Sequence, residues 1–292
     1  RKPVVIAPAM NTNMYESPAT QKAIHQLAQW QNITMLDAAS GELACGTTGK
    51  GRMQEIDVLV AAIDYALTPK TLCGKHILIT AGPTQEAIDP VRYISNASTG
   101  KMGYALVRAC LNRGAEVTLV SGPTHLSLKA WQAFCPLHIK NIVSSAEMCE
   151  ATTTIFPQTD MAILCAAVAD FTPRTTADKK IKKQPGTTDM SIQLITTTDI
   201  AATLGKNKTP NQTLVGFALE THDELANAER KLQSKNLDMI VANDVSKPQA
   251  GFNVDTNLIK LLKRDGSIEE LSLMSKKELA YIILDRVMKL RK

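Results

Sequence analysis

Residues 76–84 read His-Ile-Leu-Ile-Thr-Ala-Gly-Pro-Thr and decide the fold of this chain. The apolar run is too short for a helix and ends at a Gly-Pro pair, a pattern typical of a buried strand that enters a loop. Beyond the loop, apolar residues recur at helical spacing from Tyr104 to Leu111 and stop before Gly114, and residues 116–121 read as another strand. This β-loop-α-β order predicts half of a nucleotide-binding, doubly wound and mostly parallel α/β sheet of the Rossmann-like type.

The loop after the first strand differs from a dinucleotide-binding loop. Such a site has G-x-G-x-x-G directly after the first strand and an acidic residue at the end of the second. Here Gly82 stands alone, and the second strand ends in Ser121 and Gly122 without a carboxylate that could hold a ribose. An NAD-type oxidoreductase is therefore disfavoured.

The same loop predicts an anion site at the start of the helix. Ser98 and the free amides of the helix, which follow Gly100 and continue past Gly103, could cradle a phosphate because a helix N-terminus attracts anions. An ordinary Gly-rich turn is the alternative. Arg92, Asn96 and Lys101 lie in the same loop, and together they favour a ligand site.

Length and composition narrow the classes of protein. A chain of 292 residues can bury one large or two unequal domains. It has no apolar run near membrane-spanning length, and its six cysteines include no C-x-x-C pair, which disfavours zinc and disulfides and fits a reducing cytoplasm. A net charge of +5 with 4% aromatic residues fits acidic small substrates better than nucleic acid.

Residues 1–68 predict a fragment of another α/β domain. Residues 4–7 and 33–36 read as strands, one helix begins at Pro18, and residues 56–67 read as a closing helix. So few elements rarely fold alone. We therefore expect a truncated N-terminus, with the rest of this sheet upstream.

Two segments of that fragment carry candidate functional residues. Residues 8–14, Pro-Ala-Met-Asn-Thr-Asn-Met, follow a strand directly, where open α/β sheets bind ligands. Residues 41–53 read as a mobile, Gly-rich flap that contains Cys45. A lone cysteine is more often inert packing, but this one lies in a polar flap with little to pack against.

Two segments further along are ambiguous from their residues alone. Residues 160–171 read as a buried strand that ends on Asp170, where a simple turn is the plainer interpretation. Residues 172–186 place four lysines in five positions, and most such runs are solvated surface loops. Beside a candidate triphosphate site, however, these like charges favour the arrival of an anion.

The remaining elements are predicted from caps and periodicity. They are a helix capped by Thr198 or Asp199, strands at 214–218 and 238–243, a helix with a capping box of Thr221 and Glu224, a hairpin that turns at Asp265-Gly266, and a last helix capped by Ser275 and Glu278.

The sequence of residues 81–96, followed by Ser-Thr-Gly-Lys-Met-Gly at 98–103, closely resembles the phosphopantothenate–cysteine ligase domain of the bacterial bifunctional coenzyme A biosynthesis family, whose members are also phosphopantothenoylcysteine decarboxylases. The resemblance implies a ligase domain over residues 72–292 and the C-terminal part of a flavodoxin-like decarboxylase domain over 1–68. It implies that CTP, with magnesium, activates phosphopantothenate as an acyl-cytidylate, which cysteine then attacks.

The resemblance also implies the role of each site residue. Catalysis falls to Cys45, Asn96 and Lys180, and Asp170 is the candidate metal ligand. Substrate would be held by Asn11, Met14, Arg92, Ala166 and Ala167, with Arg92 reaching it across a dimer interface. Nucleotide would be held by Gly82, Ser98, Gly100, Gly103, Cys165, Ala166, Asp170, Lys180, Thr198, Asp199, Ile200, Ala201, Phe217, Lys231, Lys235 and Asn243.

For the decarboxylase part, the resemblance implies FMN as cofactor and Cys45 as the proton donor. Tyr15 stands where the family commonly has tryptophan. The flavin-binding residues would lie upstream, so we expect the chain to ligate but not to decarboxylate. The resemblance further implies a cytoplasmic protein that forms a homodimer through the ligase domain and a larger homo-oligomer at full length, without nucleic-acid or membrane partners. A nucleotide sensor without catalysis is the remaining alternative, and pyrophosphate release would distinguish it.

Overall fold

The computed structural model describes residues 2–44, 46–183, 188–220, 224–244, 251 and 253–290. In chain order, the described strands are β1 (Val4–Ile6), β2 (Ile33–Met35), β3 (Ala39–Glu42), β4 (Thr48–Arg52), β5 (His76–Ala81), β6 (Gln85–Ala87), β7 (Tyr93–Ser95), β8 (Glu116–Ser121), β9 (Leu137–Asn141), β10 (Met161–Leu164), β11 (Phe171–Pro173), β12 (Leu194–Thr196), β13 (Thr213–Glu220), β14 (Met239–Asp244), β15 (Thr256–Asn257), β16 (Ile259–Lys263), β17 (Ile268–Glu270) and β18 (Met274–Ser275). The described helices are α1 (Thr12–Tyr15), α2 (Pro18–Ala28), α3 (Ile56–Leu67), α4 (Lys101–Asn112), α5 (Lys129–Gln132), α6 (Ser145–Ile155), α7 (Ile200–Asn207), α8 (Glu224–Ser234) and α9 (Lys276–Val287).

The chain divides into two compact units. The smaller unit comprises Arg1–Gly74, Cys110–Glu116 and Ser127–Leu137, and the larger unit comprises the remaining segments. These are units of packing, so the domain boundary between residues 68 and 72 stays a prediction.

A single sheet organises the larger unit. Within the described residues it has eight strands in the order β17-β16-β14-β13-β10-β5-β8-β9. Strand β10 runs parallel to both β5 and β13, and β13 runs parallel to β14, whereas β16 and β17 extend the sheet as an antiparallel hairpin. Leu78, Ala162 and Leu214, on three adjacent strands, are completely buried, as expected for parallel strands covered on both faces. The predicted α/β class, with its mostly parallel sheet and antiparallel extension, is confirmed.

Several predicted caps and turns are confirmed as well. Asp199 caps α7 by accepting a hydrogen bond from the Ala202 amide, and Ser275 forms a reciprocal capping box with Glu278 at the start of α9. The β16–β17 hairpin turns at Gly266, whose positive φ of 81° suits glycine. The capping box predicted at Thr221 lies outside the residues that the structure describes.

The strand predicted over residues 160–171 is wrong in its length. Strand β10 ends at Leu164, and Asp170 lies in a loop. The loop leaves the ladder because other groups satisfy its backbone: the Ala167 amide donates to the Gly82 carbonyl oxygen at 2.9 Å, and the Ala169 amide donates to Thr84 Oγ1 at 3.0 Å. The chain thus binds the loop after β5 instead of the neighbouring strands.

The smaller unit contains two short sheets and its own core. Strands β1 and β2 pair in parallel, and β3 and β4 form an antiparallel hairpin. Leu36, Val58 and Ala62 are buried at its centre. The segment predicted as a flap is therefore largely a β-hairpin.

Among the described residues, no helix is long and apolar enough to cross a membrane.

Candidate active site

A cavity of about 650 Å³ lies in the larger unit near the carboxyl ends of its parallel strands, the position where open α/β sheets bind ligands. Its wall includes most of the ligase residues predicted from sequence: Asn96, Ser98, Gly100, Gly103, Cys165, Ala166, Ala167, Asp170, Thr198, Asp199, Ile200, Ala201, Phe217, Lys231, Lys235 and Asn243. Residues far apart in sequence are therefore brought together at one edge of the sheet.

Two glycines allow helix α4 to begin against strand β5. Gly100 has a positive φ of 77°, which favours glycine. A Cβ on Gly103 would lie 2.5 Å from the Cβ of Ala81, so the helix could not approach the strand with any larger residue there. This close contact presents the first amides of α4 to the cavity, where they can bind an anion. Gly82, which does not line the cavity, makes the turn beneath it with a φ of 78°.

Asn96 joins two walls of the cavity. Its side-chain amide Nδ2 donates to the carbonyl oxygens of Ala167 at 3.2 Å and Val168 at 3.0 Å. On the β10 side, the Ala166 amide donates to Thr80 Oγ1 at 3.2 Å. The candidate catalytic residue Asn96 is thus bonded to the candidate substrate-binding residue Ala167, while Ala166 is held by strand β5.

The opposite wall carries the candidate nucleotide-binding charges. Lys235 Nζ lies 2.9 Å from Asp199 Oδ2, and Asp199 also caps α7. Burial opposes ionisation of Asp199, but the hydrogen bonds from Lys235 and the helix amides outweigh it, so the pKa of this carboxyl is lowered. Phe217 is half-buried and also lines the cavity.

Asp170 is an exposed carboxylate on the cavity wall. Among the described residues, no cluster of three or more His, Cys, Asp or Glu side chains could hold a metal ion by itself. Magnesium usually keeps several waters and binds one or two carboxylates together with substrate phosphates. A single carboxylate beside an anion site fits that mode of binding.

Lys180 and Arg92 lie outside the cavity wall. Lys180 is exposed, and Arg92 donates from Nη2 to Asp89 Oδ2 at 2.5 Å and to the Ile181 carbonyl oxygen at 2.9 Å. The structure therefore brings these two predicted residues near each other through Ile181, although neither lines the cavity.

A smaller cavity of about 370 Å³ lies in the smaller unit between residues 9–11 and the β3–β4 hairpin. A Cβ on Gly51 would lie 2.2 Å from the Met10 carbonyl oxygen, and one on Gly49 would lie 2.4 Å from Thr12 Oγ1. The glycines of the predicted flap thus let the hairpin pack against the segment that holds Asn11. Asn11 lines this cavity, Met14 is 60% exposed and does not, and Cys45 lies outside the described residues.

Tyr15, at the family's tryptophan position, anchors the same hairpin. Its hydroxyl donates to Asp37 Oδ1 at 2.5 Å, and Lys50 Nζ on β4 donates to Asp37 Oδ2 at 2.6 Å. Burial first, and then the bond to Asp37, raises the pKa of Tyr15. The tyrosine hydroxyl therefore attaches the hairpin through a hydrogen bond to Asp37 that the indole of a tryptophan could not make with the same geometry.

Two protein families account for nearly all of the chain. Residues 72–290 match the DNA/pantothenate metabolism flavoprotein C-terminal domain, and residues 1–68 match the flavoprotein family. The chain belongs to the DNA/pantothenate metabolism flavoprotein family. The resemblance predicted from residues 81–103 is thus confirmed for the family.

Individual relatives of this flavoprotein family cover nearly all of the chain. A cysteine/cysteine sulfinic acid decarboxylase from an unidentified prokaryote is 48% identical, over 99% of this chain and 80% of that protein. The coenzyme A biosynthesis bifunctional protein CoaBC of Bacillus subtilis is 46% identical, over 99% of this chain and 70% of its own length. The crystal structure of the C-terminal domain of a CoaBC protein superposes with a TM-score of 0.62 at 42% identity, over 75% of this chain and 98% of that domain.

Two further lysines, Lys101 and Lys276, lie on the cavity wall of this family member. Lys101 belongs to the loop that was predicted from sequence to bind a ligand, whereas Lys276 was missed. Lys276 is only 6% exposed, and its Nζ donates to the carbonyl oxygens of Gly251 at 2.8 Å and Val254 at 2.5 Å. Lys101 Nζ lies 2.8 Å from Asp255 Oδ1. Burial, and then the charge of Lys101, lowers the pKa of Lys276. The sequence feature that could have indicated Lys276 is its position in the first turn of α9, because the helix dipole disfavours a cation there.

Proposed function

We propose that this chain ligates phosphopantothenate to cysteine at the expense of CTP. The observation that carries the proposal is the gathering of Asn96, the α4 N-terminus and the Asp199–Lys235 pair around one cavity. The relatives named for coenzyme A biosynthesis support it. The preference for CTP rests on the family resemblance alone.

The reaction requires activation because a carboxylate oxygen is a poor leaving group. A carboxylate oxygen of phosphopantothenate attacks the α-phosphorus of CTP, and the bond to pyrophosphate breaks. The cysteine amine then attacks the acyl carbon, loses a proton and expels CMP. Preorganised donors aimed at the developing phosphate charge are usually the largest single contribution to such catalysis.

Each part of the cavity has a task in this proposal. Ser98, Gly100, Gly103 and the amides of α4 bind phosphate, Phe217 stacks on the base, and Lys231 and Lys235 bind the nucleotide. Asn96, Ala166 and Ala167 hold the acyl group. Lys180, which lies outside the cavity wall, approaches the transferring phosphate. Magnesium, when bound, would offset phosphate charge, with Asp170 as its protein ligand.

The test is pyrophosphate release with phosphopantothenate, cysteine and each nucleoside triphosphate in turn. Release should require phosphopantothenate and should be fastest with CTP. Equal hydrolysis of CTP without phosphopantothenate would contradict the proposal, and so would binding of CTP without any turnover, which a nucleotide sensor would show.

We also propose a homodimer formed through the larger unit, as the family resemblance implies. The β6–β7 hairpin presents exposed Val91 and Tyr93, and the β11–β12 ribbon, which packs on β6, presents exposed Phe171 and Leu194. Exposed apolar surface of this kind commonly marks a protein interface. Light scattering at several concentrations should give twice the chain mass of 31.7 kDa, and Phe171→Glu should give the single mass.

Decarboxylation of a cysteinyl carboxylate, carried out together with the flavin-binding residues expected upstream, is a second candidate function. It is favoured by the match of residues 1–68 to flavoproteins and by a relative named as a decarboxylase of cysteine and cysteine sulfinic acid. FMN, when bound, supplies the oxidation and reduction. In the chain itself, Asn11 and Met14 would hold the substrate, and Cys45 would return the proton. Release of carbon dioxide from phosphopantothenoylcysteine, cysteine and cysteine sulfinate, compared side by side, tests the activity and its substrate.

A further inference from the structure

Asp89 is a buried carboxylate at the turn between strands β6 and β7. The residue is only 2% exposed. Its Oδ1 accepts hydrogen bonds at 2.9 Å from the main-chain amides of Val91 and Arg92. These two bonds alone would be enough to close the hairpin turn.

The second oxygen of Asp89 is used on a distant segment. Oδ2 accepts from Arg92 Nε at 3.0 Å and Nη2 at 2.5 Å, and from the Ile181 amide at 3.1 Å. Arg92 Nη2 in turn donates to the Ile181 carbonyl oxygen at 2.9 Å. The Asp89–Arg92 pair therefore holds both main-chain groups of the residue that follows Lys180.

A second attachment lies before Lys180 in the chain. Thr176 Oγ1 donates to the Ala87 carbonyl oxygen at 3.1 Å, and the Ala177 amide donates to the Ile88 carbonyl oxygen at 3.0 Å. Lys180 thus lies between a backbone attachment at residue 177 and the Asp89–Arg92 attachment at residue 181. Both attachments are to the same hairpin.

The charge of Asp89 is needed for this arrangement. A buried carboxylate is tolerated only when its oxygens are hydrogen-bonded or paired, and here the bond from Arg92 is the main reason that its pKa is held well below the usual range. An asparagine would fit the same space and still accept from amides, but it would not pair with the guanidinium.

We propose that Asp89 is a positioning residue for Lys180, acting by fixing Arg92 and Ile181. The inference rests on the proposed ligase function, in which Lys180 approaches the transferring phosphate. The described residues that donate to its side chain, Val91, Arg92 and Ile181, do not line the cavity. Its contribution to the rate should exist only while Lys180 is present.

A double-mutant cycle tests this dependence. Asp89→Asn should lower the rate of pyrophosphate release by about 10–100-fold, as expected for one lost charge-assisted hydrogen bond. In the Lys180→Gln background, Asp89→Asn should change the rate by less than about twofold, which is well below the loss that it causes in the parent. Asp178→Asn, an exposed neighbour in the same segment, is the matched control and should leave the rate unchanged.

Amide hydrogen exchange provides a readout independent of activity. The Ile181 amide, which donates to Asp89, should exchange faster in Asp89→Asn and at the parent rate in Lys180→Gln and Asp178→Asn. Should Asp89→Asn fail to fold by circular dichroism, Ile181→Pro removes the same donor from an exposed position, with Ile181→Ala as its control. The loss of rate caused by Ile181→Pro should also disappear in the Lys180→Gln background.

The outcomes separate failure of the inference from failure of the proposed function. Three results would each overturn the positioning role. The first is that the losses of rate multiply in the double variant, and the second is that the exchange rate of the Ile181 amide does not change in Asp89→Asn. The third is a Lys180→Gln variant as active as the parent. Absence of pyrophosphate release from the unaltered protein would instead overturn the ligase proposal, while the exchange measurement would still report whether Asp89 holds the segment.

Discussion

Replacing Gly103 by alanine tests whether the close contact between α4 and β5 builds the anion site. The added Cβ would lie 2.5 Å from the Cβ of Ala81 and 3.3 Å from the Thr80 carbonyl oxygen, whereas carbon atoms prefer roughly 3.5–4.0 Å. Both partners are fixed to the backbone, so the first turn of α4 must move. Overpacking of this kind costs about 1–3 kcal/mol.

Helix propensity opposes part of this loss, since alanine is better than glycine inside a helix by about 0.5–1 kcal/mol. We therefore expect Gly103→Ala to lower the free energy of unfolding by about 1 kcal/mol, the difference between the midpoints of those two ranges. Because the amides of α4 would shift with the helix, the dissociation constant for CTP should rise as well. Urea unfolding and equilibrium titration with CTP measure the two effects.

The matched control removes the opposing atom. Ala81→Gly takes away the nearest carbon and leaves the Ala81 Cα at 3.2 Å, a close contact that a shift of a few tenths of an ångström would relieve. The double variant should recover part of both losses, with a coupling free energy of about 1 kcal/mol. Additive effects in the double variant, or a Gly103→Ala protein as stable and as tight in CTP binding as the parent, would refute the packing argument.

Three further predictions concern single side chains. Lys180→Gln should lower pyrophosphate release by about 10²–10³-fold if it meets the transferring phosphate, and Lys182→Gln and Lys183→Gln should be milder. Rates close to that of the parent in all three variants would show that this lysine-rich segment is a solvated surface loop outside the active site. Asn96→Asp should let the acyl-cytidylate accumulate in quenched reactions followed by mass spectrometry, because a new carboxylate repels the phosphate in the transfer step; full product yield without a trapped intermediate would show that Asn96 only links the cavity walls. Tyr15→Phe should lower stability by about 1–3 kcal/mol because the Ala38 amide loses its acceptor, the tyrosine hydroxyl. Because the pKa of Tyr15 is raised in the folded protein, its protonated hydroxyl contributes stability that is fully present below the unfolded pKa of about 10 and is lost as pH rises through the folded pKa. The free energy of unfolding should therefore fall less steeply with alkaline pH in Tyr15→Phe than in the parent.

The part of the fold that sequence predicts well is the part with strong local signals. Strand β5 combines a short apolar run with a Gly-Pro end, and α3 and α9 have unambiguous periodicity or caps. In these places local propensity and tertiary burial favour the same structure. Agreement across those levels is what makes a prediction from residues reliable.

The hairpin β6–β7 shows why other parts are hidden from sequence. Strand β6, which reads Gln-Glu-Ala, has little strand propensity, and β7 is only three residues long. The turn between them is held by Asp89 together with Ile181, which lies 92 positions away. The residue pair that fixes the hairpin cannot be recognised until the fold brings its members together. For the same reason, the end of β10 at Leu164 depends on acceptors supplied by Gly82 and Thr84 in another segment.

The loops around the larger cavity behave as one hydrogen-bonded group because each satisfies the backbone of another. Thr80 Oγ1 and Thr84 Oγ1 accept the amides of Ala166 and Ala169, and Asn96 donates to the carbonyl oxygens between them. A side chain in this group can therefore be structural and functional at once, since buried backbone groups must find partners and those partners also form the cavity wall. It follows that losing Asn96 altogether should disturb the 165–170 loop as well as any bound acyl group. The informative substitution is one that keeps its shape and changes only its charge.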